Sequence, residues 1–412
     1  MHRPFRLLSI GLCAVLAIAG CASDDDDDDQ SATTGQPASP DCPSGLTKTE
    51  EICVDNDDSQ ASQIVDAVRS QFTAGVLSGV VFGVWRDGAA VATGALGVGQ
   101  SGVPATRDMH FRIGNVLEGM LTTQLLRLVE EGAIALDDPI SNWFPELPNA
   151  DKVTVNMLAH STSGYNDFVT TQAFIDAFDK DPFKIWELDE LIDIAMSKPP
   201  LFDPGTNWAF SDTNFVLLGQ IVQEVGGQPF SEQVQEIWDE LEMENTAISI
   251  TSAIEPPVLH AYSNERGPFE DVTFWSPSWV PNAGNGTSNL DDMATWAEAI
   301  AEGTVLTPES HELQLAPDTA GLGPMTDEAY YAMATAVSGG WVGSNPQVDG
   351  YSGIVAYHQE QDVTVVVFAT IGPDGDIATA YATGIYGEIT NVVTPGEKLP
   401  FEAQPRGASG DD

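Results

Sequence analysis

Two pairs of apolar segments, one towards each end of the chain, constrain the fold more than any other feature of the sequence. Residues 79–98 contain two apolar segments around Asp87-Gly88, and residues 353–370 contain two more around a short polar stretch. Paired apolar segments around a turn-forming dipeptide or a short polar loop are typical of β-hairpins. The sequence therefore predicts strands at both ends of the folded region.

Helical periodicity lies between and beside these hairpins. It is clearest in residues 116–129, where apolar side chains recur at helical spacing until Gly132 ends the pattern. An opening helix is predicted at about residues 60–72 and a closing helix at residues 377–392. Strands at both ends with helices between them predict a mixed α/β protein, in which one sheet is completed late in the chain and a helical region is inserted.

The first twenty residues have the pattern of an export signal. Arg3 and Arg6 precede an apolar run, residues 7–19, which is too short to span a membrane stably. The run ends in Ile18-Ala19-Gly20-Cys21, which resembles the lipobox of bacterial lipoproteins, where the cysteine sulfur receives a diacylglycerol. Residues 1–20 are therefore predicted to be a lipoprotein signal peptide, and Cys21 the site of lipid attachment.

This anchor implies a location in the bacterial cell envelope, with the protein bound to the membrane through its lipid. Ala22 stands where an aspartate is associated with inner-membrane retention in enteric bacteria. The outer membrane is therefore favoured, with the protein facing the periplasm or the exterior.

Residues 21–59 read as an acidic, flexible tether. Asp24 to Asp29 are consecutive aspartates, and the stretch has neither helical nor strand periodicity. Cys42 and Cys53 lie in this segment, and an exported protein is expected to join them in a disulfide. The folded domain is predicted to span residues 60–395, followed by a tail at residues 396–412.

The charge of the chain excludes one class of partner. Asp and Glu number 62 against 15 Lys and Arg in 412 residues, which gives a net charge of −47. Nucleic acids are bound through clustered Lys and Arg, so a general nucleic-acid binder is excluded. Hydrophobic residues make up 42% of the chain, enough for a sizeable core, so wholesale disorder is excluded too.

Short motifs across residues 60–395 carry a family resemblance. They occur in the order Phe111-Arg-Ile-Gly114, Leu128-Val-Glu-Glu-Gly132, Leu136-Asp-Asp-Pro139, Phe144-Pro-Glu-Leu147, Asn156-Met-Leu-Ala-His160, Pro204-Gly-Thr206, Leu217-Leu-Gly219, Ser288-Asn-Leu-Asp-Asp-Met293 and Gly350-Tyr351. Together they resemble the serine β-lactamase and D-alanyl-D-alanine carboxypeptidase family, in its class C-like branch. The resemblance implies a β-lactamase/transpeptidase-like fold, with a mainly antiparallel sheet flanked by helices and an inserted helical subdomain.

The same resemblance implies an acyl-serine mechanism built from three motifs, Ser-x-x-Lys, Tyr-x-Asn and a late His/Lys-x-Gly. The first position reads Asn115-Val-Leu-Glu118, the second reads Phe210-Ser211-Asp212, and the third falls at Ser344-Asn345-Pro346. No lysine of the chain lies three residues after a serine. Because an amide is no nucleophile and both proton carriers are replaced, family-type acyl-enzyme chemistry is predicted to be lost.

The leading interpretation is a non-catalytic pseudoenzyme that acts in binding. Asn115 followed by Glu118 at a helix start is a capping-box pattern, in which each side chain satisfies a backbone amide of the first turn. Ser211 remains as a residue of the former pocket. The expected partners, besides the membrane, are a peptidoglycan peptide or an envelope protein, and no cofactor is required.

An alternative interpretation places a rebuilt site at the same positions. The family geometry implies that Glu118 and Asp212 face each other across the pocket, where two like charges either raise one pKa or share a cation. With the neutral oxygens of Asn115 and Ser211 nearby, calcium is a chemically suitable cation. A carboxylate-based or metal-assisted hydrolase is therefore the second hypothesis.

Overall fold

The computed structural model describes residues 41–399, so the predicted signal peptide, Cys21 and residues 400–412 lie outside the described part of the chain. The strands are β1 (Thr47–Thr49), β2 (Ile52–Val54), β3 (Leu77–Arg86), β4 (Ala89–Gln100), β5 (Val103–Pro104), β6 (Phe111–Arg112), β7 (Ala247–Ile248), β8 (Tyr262–Ser263), β9 (Glu270–Asp271), β10 (Gly286–Ser288), β11 (Ala329–Tyr331), β12 (Ala336–Ser338), β13 (Trp341–Ser344), β14 (Gln347–Val348), β15 (Tyr351–His358) and β16 (Val363–Ile371). The α-helices are α1 (Ala61–Gln71), α2 (Val116–Glu130), α3 (Val155–Ala159), α4 (Gln172–Lys180), α5 (Leu188–Ala195), α6 (Asp212–Gly226), α7 (Phe230–Glu240), α8 (Leu290–Glu302), α9 (Pro308–Gln314) and α10 (Tyr381–Val393).

One antiparallel sheet organises the described residues. Its main path runs β1-β2-β4-β3-β16-β15-β13-β12-β11, with β5 paired to β4 and β14 paired to β15. The two predicted hairpins, β3–β4 and β15–β16, form its centre, where β16 pairs with β3. Asp87 and Gly88 have φ values of 49° and 71°, as a tight two-residue hairpin turn requires. The predicted mixed α/β fold is confirmed.

The two faces of the sheet are covered by different helices. Along β3, Val80 and Phe82 belong to an apolar cluster with α1 and α10, whereas Val81 belongs to a second cluster with α2 and α8. Side chains of a strand alternate between faces, so β3 contributes to both layers. The sheet is therefore enclosed on both sides, and α2 lies in the interior of the larger cluster.

The region between α2 and α8 is the predicted helical insertion. Helix α6 packs against α2, α3, α5 and α7. Nearly every side chain of α2 is buried, because this helix lies between the insertion and the remainder of the fold. The N-terminal ends of α2 and α6 are the positions where the first two family motifs occur.

The N-terminal segment differs from the predicted tether. Within residues 41–59, β1 and β2 form a hairpin, and β2 pairs with β4 of the β3–β4 hairpin. Ile52 and Cys53 are buried, and Cys53 forms a disulfide with Cys42. The sequence carries no signal for this hairpin, because each of its strands is only three residues long and the hairpin is stabilised by the pairing of β2 with β4. At the other end, Leu399 of the predicted tail is also buried.

Within residues 41–399, no helix combines the length and the apolar character that crossing a bilayer requires.

Candidate functional site

The first motif lies at the start of α2, and it does not form the predicted capping box. Gly114 has a φ of 47°, and Asn115 at the N-cap is already helical, with φ −66° and ψ 0°. An N-cap side chain reaches the helix amides from an extended backbone, so the Asn115 side chain makes no cap hydrogen bond. The capping-box prediction for Asn115 and Glu118 was therefore wrong.

Glu118 is instead enclosed by the protein. Its side chain is fully buried, and the Tyr331 hydroxyl donates to its Oε2 at 3.4 Å. Burial raises the pKa of Glu118 well above its ordinary value, and the negative charges of Asp212 and Asp167 raise it further. The weak hydrogen bond from Tyr331 opposes this rise only in part. The site therefore favours Glu118 as a neutral acid.

Tyr331 is held over Glu118 by backbone contacts on both sides of the β11–β12 turn. The Tyr331 amide donates to Thr319 Oγ1 at 3.1 Å. In the turn itself, Thr122 Oγ1 donates to the Met333 carbonyl at 3.3 Å, and the Ala334 amide donates to the Ala159 carbonyl at 3.2 Å. Because Thr122 lies one helical turn after Glu118, these bonds fix the strand against the site.

Two further rings extend the cover that Tyr331 provides. The ring centroids of Trp208 and Tyr331 are 5.4 Å apart, and those of Phe210 and Tyr331 are 6.3 Å apart. We refer to Trp208, Phe210 and Tyr331 as the aromatic cover. Phe210 stands where the family motif has a tyrosine, and its ring also packs 5.9 Å from that of Phe215. The position therefore contributes to packing and carries no proton-transferring group.

The second motif continues into α6. Ser211 is the N-cap residue and is fully buried, and Asp212 is the first residue of the helix. Asp212 contributes the largest charge effect on the pKa of Glu118, as expected if the two carboxyl groups lie across one site. The juxtaposition of Glu118 and Asp212 inferred from the resemblance is thus consistent with the electrostatics of the fold.

The third motif meets the first at the end of β13. Ser344 is the last residue of this strand, and β12 pairs with β13 only between Trp341 and Gly343. A methyl group added to Gly114 would lie 3.1 Å from Pro346 Cβ, so the proline packs against the residue before Asn115. Proline has no amide hydrogen, which removes a donor that a substrate-binding strand would offer at this point.

A buried ion pair lies next to these motifs. Arg112 in β6 and Asp349 before β15 have fully buried side chains, and Arg112 Nε lies 3.9 Å from Asp349 Oδ2. Arg112 Nη2 also donates to the carbonyls of Thr273 and Trp275, at 3.2 and 3.1 Å. The pair therefore connects the Phe111-Arg-Ile-Gly114 motif to the Gly350-Tyr351 motif through the interior.

Several polar atoms of the site have no hydrogen-bond partner among the described residues. They are Asn115 Oδ1, Glu118 Oε1, Trp208 Nε1 and Ser211 Oγ. Buried polar groups are normally paired, so such a concentration is typical of a site that has lost its former partners or that holds water or a ligand. None of these groups forms a nucleophile activated by an adjacent base.

The calcium hypothesis has limited support from the acidic residues. No group of three or more His, Cys, Asp or Glu side chains within residues 41–399 is arranged to hold a metal ion. A site at Glu118 and Asp212 would rely on two carboxylates and would require Glu118 to ionise, which its burial opposes.

We therefore expect calcium to leave the thermal stability of the protein unchanged. Melting curves recorded with excess calcium and with a chelator should coincide, because a neutral Glu118 is a poor ligand for a hard cation. A calcium-dependent rise in melting temperature that disappears in Glu118→Gln would establish the cation site instead. Glu240→Gln, which alters an exposed acid of α7, controls for general charge effects.

Sequence reasoning missed Trp208 and Tyr331. Tyr331 belongs to none of the three motifs, and its one signal in the sequence is the adjacent pair Tyr330-Tyr331. In a strand such neighbours point to opposite faces, so one of them must face inward. His160, in a segment that resembles a family turn, is buried, and its Nδ1 lies 3.0 Å from the Asn156 carbonyl. Burial lowers the pKa of His160, which suits a neutral structural histidine.

Comparison with known proteins identifies the family of the chain. The family model described as Beta-lactamase matches residues 64–386. A Bacillus subtilis (strain 168) protein that carries the name penicillin-binding protein PbpX is 24% identical over 264 residues, which are 63% of this chain and 62% of the relative. The chain thus aligns with less than two thirds of that protein. The esterase EstB of Burkholderia gladioli is 26% identical over 61% of this chain and 72% of its own length.

Solved structures give the same fold. A D-stereospecific amidohydrolase from Streptomyces sp. aligns with a TM-score of 0.70 and 24% identity, over 82% of this chain and 99% of the other. The D-amino acid amidase from Ochrobactrum anthropi SV3, in complex with D-phenylalanine, aligns with a TM-score of 0.71 and 22% identity, over 82% and 99% of the two chains. At these identities the likeness establishes the fold alone.

Proposed function

The chain belongs to the β-lactamase family, and we propose that it is a non-catalytic member of that family which acts in binding at the bacterial cell envelope. One observation carries the proposal. At the family's nucleophile and lysine positions stand Asn115 and Glu118, and Glu118 is fully buried under Tyr331. A buried acid without an adjacent nucleophile cannot perform acyl transfer by the family mechanism.

The remaining motif positions support this proposal independently. Phe210 contributes a ring to the aromatic cover and offers no phenol hydroxyl. Pro346 packs against Gly114, where its missing amide cannot hold a substrate. Because each change removes a different part of the catalytic machinery, reversion of any single residue leaves the others absent.

The proposed location rests on the sequence of the N-terminus. The lipobox-like Ile18-Ala19-Gly20-Cys21 would attach the mature protein to a membrane by lipid, with the outer membrane favoured by Ala22. A peptidoglycan peptide or another envelope protein is the kind of partner available in that compartment. The strongly acidic chain disfavours anionic partners such as nucleic acids.

A second candidate function follows from the raised pKa of Glu118. A carboxyl group whose neutral form is stabilised by burial is suited to act as a general acid, and the charge of Asp212 raises the pKa of Glu118 further. A hydrolase with a rebuilt carboxylate site would use this pair. It would also require the aromatic cover to move, since Glu118 has no solvent exposure.

We expect the purified protein to turn over none of the family's substrates. D-alanyl peptides, short-chain esters and a chromogenic cephalosporin should be hydrolysed no faster than in buffer, because no acyl-serine can form. A fluorescent penicillin should leave the protein unlabelled on a denaturing gel. A serine β-lactamase with an intact Ser-x-x-Lys motif, assayed in parallel, shows that the reagents are active.

Two results would contradict this proposal in different ways. Turnover that is abolished by Glu118→Gln and retained by Glu130→Gln, a matched change at the other end of α2, would identify the rebuilt hydrolase. Covalent labelling by the penicillin would show that a serine of this chain acts as the nucleophile despite the loss of the Ser-x-x-Lys motif.

A further inference from the structure

A surface recess of about 550 Å³ lies beside the β3–β4 turn, and its walls come from three parts of the chain. We propose that this recess binds a sugar ring, as found in a glycan. The residues that carry the argument are Pro43, Leu46, Asp55, Trp85, Arg107 and Asp291. A volume of this size is in the usual range for small-molecule sites.

Arg107 and Asp291 form the polar side of the recess. Arg107 Nη2 donates to both oxygens of Asp291, at 2.5 and 2.8 Å. The Arg107 side chain is 12% exposed and that of Asp291 is 56% exposed. Asp291 thus fixes the position of the Arg107 guanidinium. The exposed Asp291 carboxylate can still accept hydrogen bonds from a ligand.

Trp85 provides the apolar side. It is half-buried in β3, and a methyl group added to Gly83 would overlap its ring, so the indole lies flat over the strand at that point. Pro43 and Leu46 add further apolar surface beside it. A fixed indole with a few polar groups around it is the arrangement that orients a ligand with one apolar face and a polar edge.

The charges and hydrogen-bonding groups of the recess favour a neutral sugar over an anion or a cation. An anion would meet Asp55 and Asp291 in a chain of net charge −47, and Arg107 is already neutralised by its partner. A cation would find acceptors but would lie beside the Arg107 guanidinium. Hydroxyl groups both donate and accept, so a neutral polyol can donate to the carboxylates and accept from the arginine.

The wall formed by residues 43–46 is held in place by covalent structure. The Cys42–Cys53 disulfide closes the loop that contains it, and Cys53 is buried in β2 against the sheet. These residues precede the start of the family match at residue 64, so the recess combines an additional N-terminal segment with the family domain. Such preorganisation lowers the entropy that a ligand must overcome on binding.

The proposal is tested by calorimetric titration of the full-length protein with chitotetraose, a soluble N-acetylglucosamine tetramer. We expect saturable binding, weakened at least about tenfold by Trp85→Ala and by Asp291→Asn, each of which removes one side of the recess. Glu240→Gln is the matched control, because Glu240 pairs with Arg127 in a similar geometry, with 17% and 54% exposure of the two side chains. Binding in this control should equal that of the unmodified protein.

Each other outcome counts against the proposal. No saturation with folded protein, or equal affinity in all variants, would overturn it. Binding of spermidine in place of the oligosaccharide would assign the recess to cations. If Trp85→Ala fails to fold, Asp291→Asn and a Cys42→Ser/Cys53→Ser variant, which releases the wall, decide the question. None of these results depends on whether the protein has catalytic activity.

Discussion

Glu118→Gln should stabilise the protein, and by an amount that grows with pH. In the folded state burial and nearby negative charge hold the pKa of Glu118 well above its ordinary value of 4.5, so the native protein keeps a proton that the unfolded chain releases. Stability from this proton is complete below the unfolded pKa and is lost as pH rises through the folded pKa. The loss amounts to about 1.4 kcal/mol per pH unit within that window.

Glutamine has nearly the same shape and no proton to lose, so the variant avoids this cost. Urea unfolding at pH 5 and pH 8 should show a difference in free energy between variant and unmodified protein that is larger at pH 8. Comparing the two proteins at each pH cancels the contributions of the many surface acids that they share.

Glu130→Gln provides a control on the same helix, because the pKa of Glu130 is shifted in the direction opposite to that of Glu118. Partial burial opposes the ionisation of Glu130, but hydrogen bonds from Thr307 and Ser310 and the charge of Arg127 lower its pKa overall. Its stabilising contribution is therefore present above the unfolded pKa and is lost on acidification, so Glu130→Gln should be most destabilising at pH 8. A difference for Glu118→Gln that is independent of pH would show that Glu118 titrates like an exposed acid.

Arg112→Met is expected to destabilise the protein by about 3–5 kcal/mol, the cost of removing one partner of a buried ion pair. The side chains of Arg112 and Asp349 are both fully buried, and the substitution leaves the Asp349 carboxylate and three backbone carbonyls without the guanidinium. Methionine keeps much of the side-chain volume, so the effect reports on charge and hydrogen bonding more than on a cavity. Urea unfolding at neutral pH measures the loss.

Two further variants separate the ion pair from general effects of removing an arginine. Arg127→Met removes an arginine whose partner Glu240 is largely exposed, and it should cost less than about 1 kcal/mol. Arg112→Met/Asp349→Asn removes both charges and should be less destabilising than the sum of its single variants. Additive costs in this double variant would mean that the two side chains stabilise the fold independently of each other.

The central sheet and α2 could be predicted from the sequence because their signals are local. Asp87-Gly88 specifies a tight hairpin turn, and the apolar periodicity of residues 116–129 specifies a buried helix. The family motifs added the arrangement of these elements. They also placed Asn115 and Glu118 at the start of a helix, and α2 begins there.

The chemistry within the site could not be read in the same way. The capping-box pattern failed because Gly114 turns the backbone so that Asn115 enters the helix conformation directly. Tyr331 covers Glu118 because a turn more than two hundred residues later in sequence is bonded to α2 through Thr122. Contacts of this kind depend on the packing of distant segments, for which local sequence carries no signal.

The disulfide in the N-terminal hairpin has a mechanical consequence. Tension applied to the chain before Cys42 passes through the sulfur atoms directly into β2 and is not transmitted along β1. The load then reaches β2 at Cys53, in the middle of its pairing with β4. Force on the chain before Cys42 would therefore act on the pairing of β2 with β4, and the turn between β1 and β2 would carry little of it.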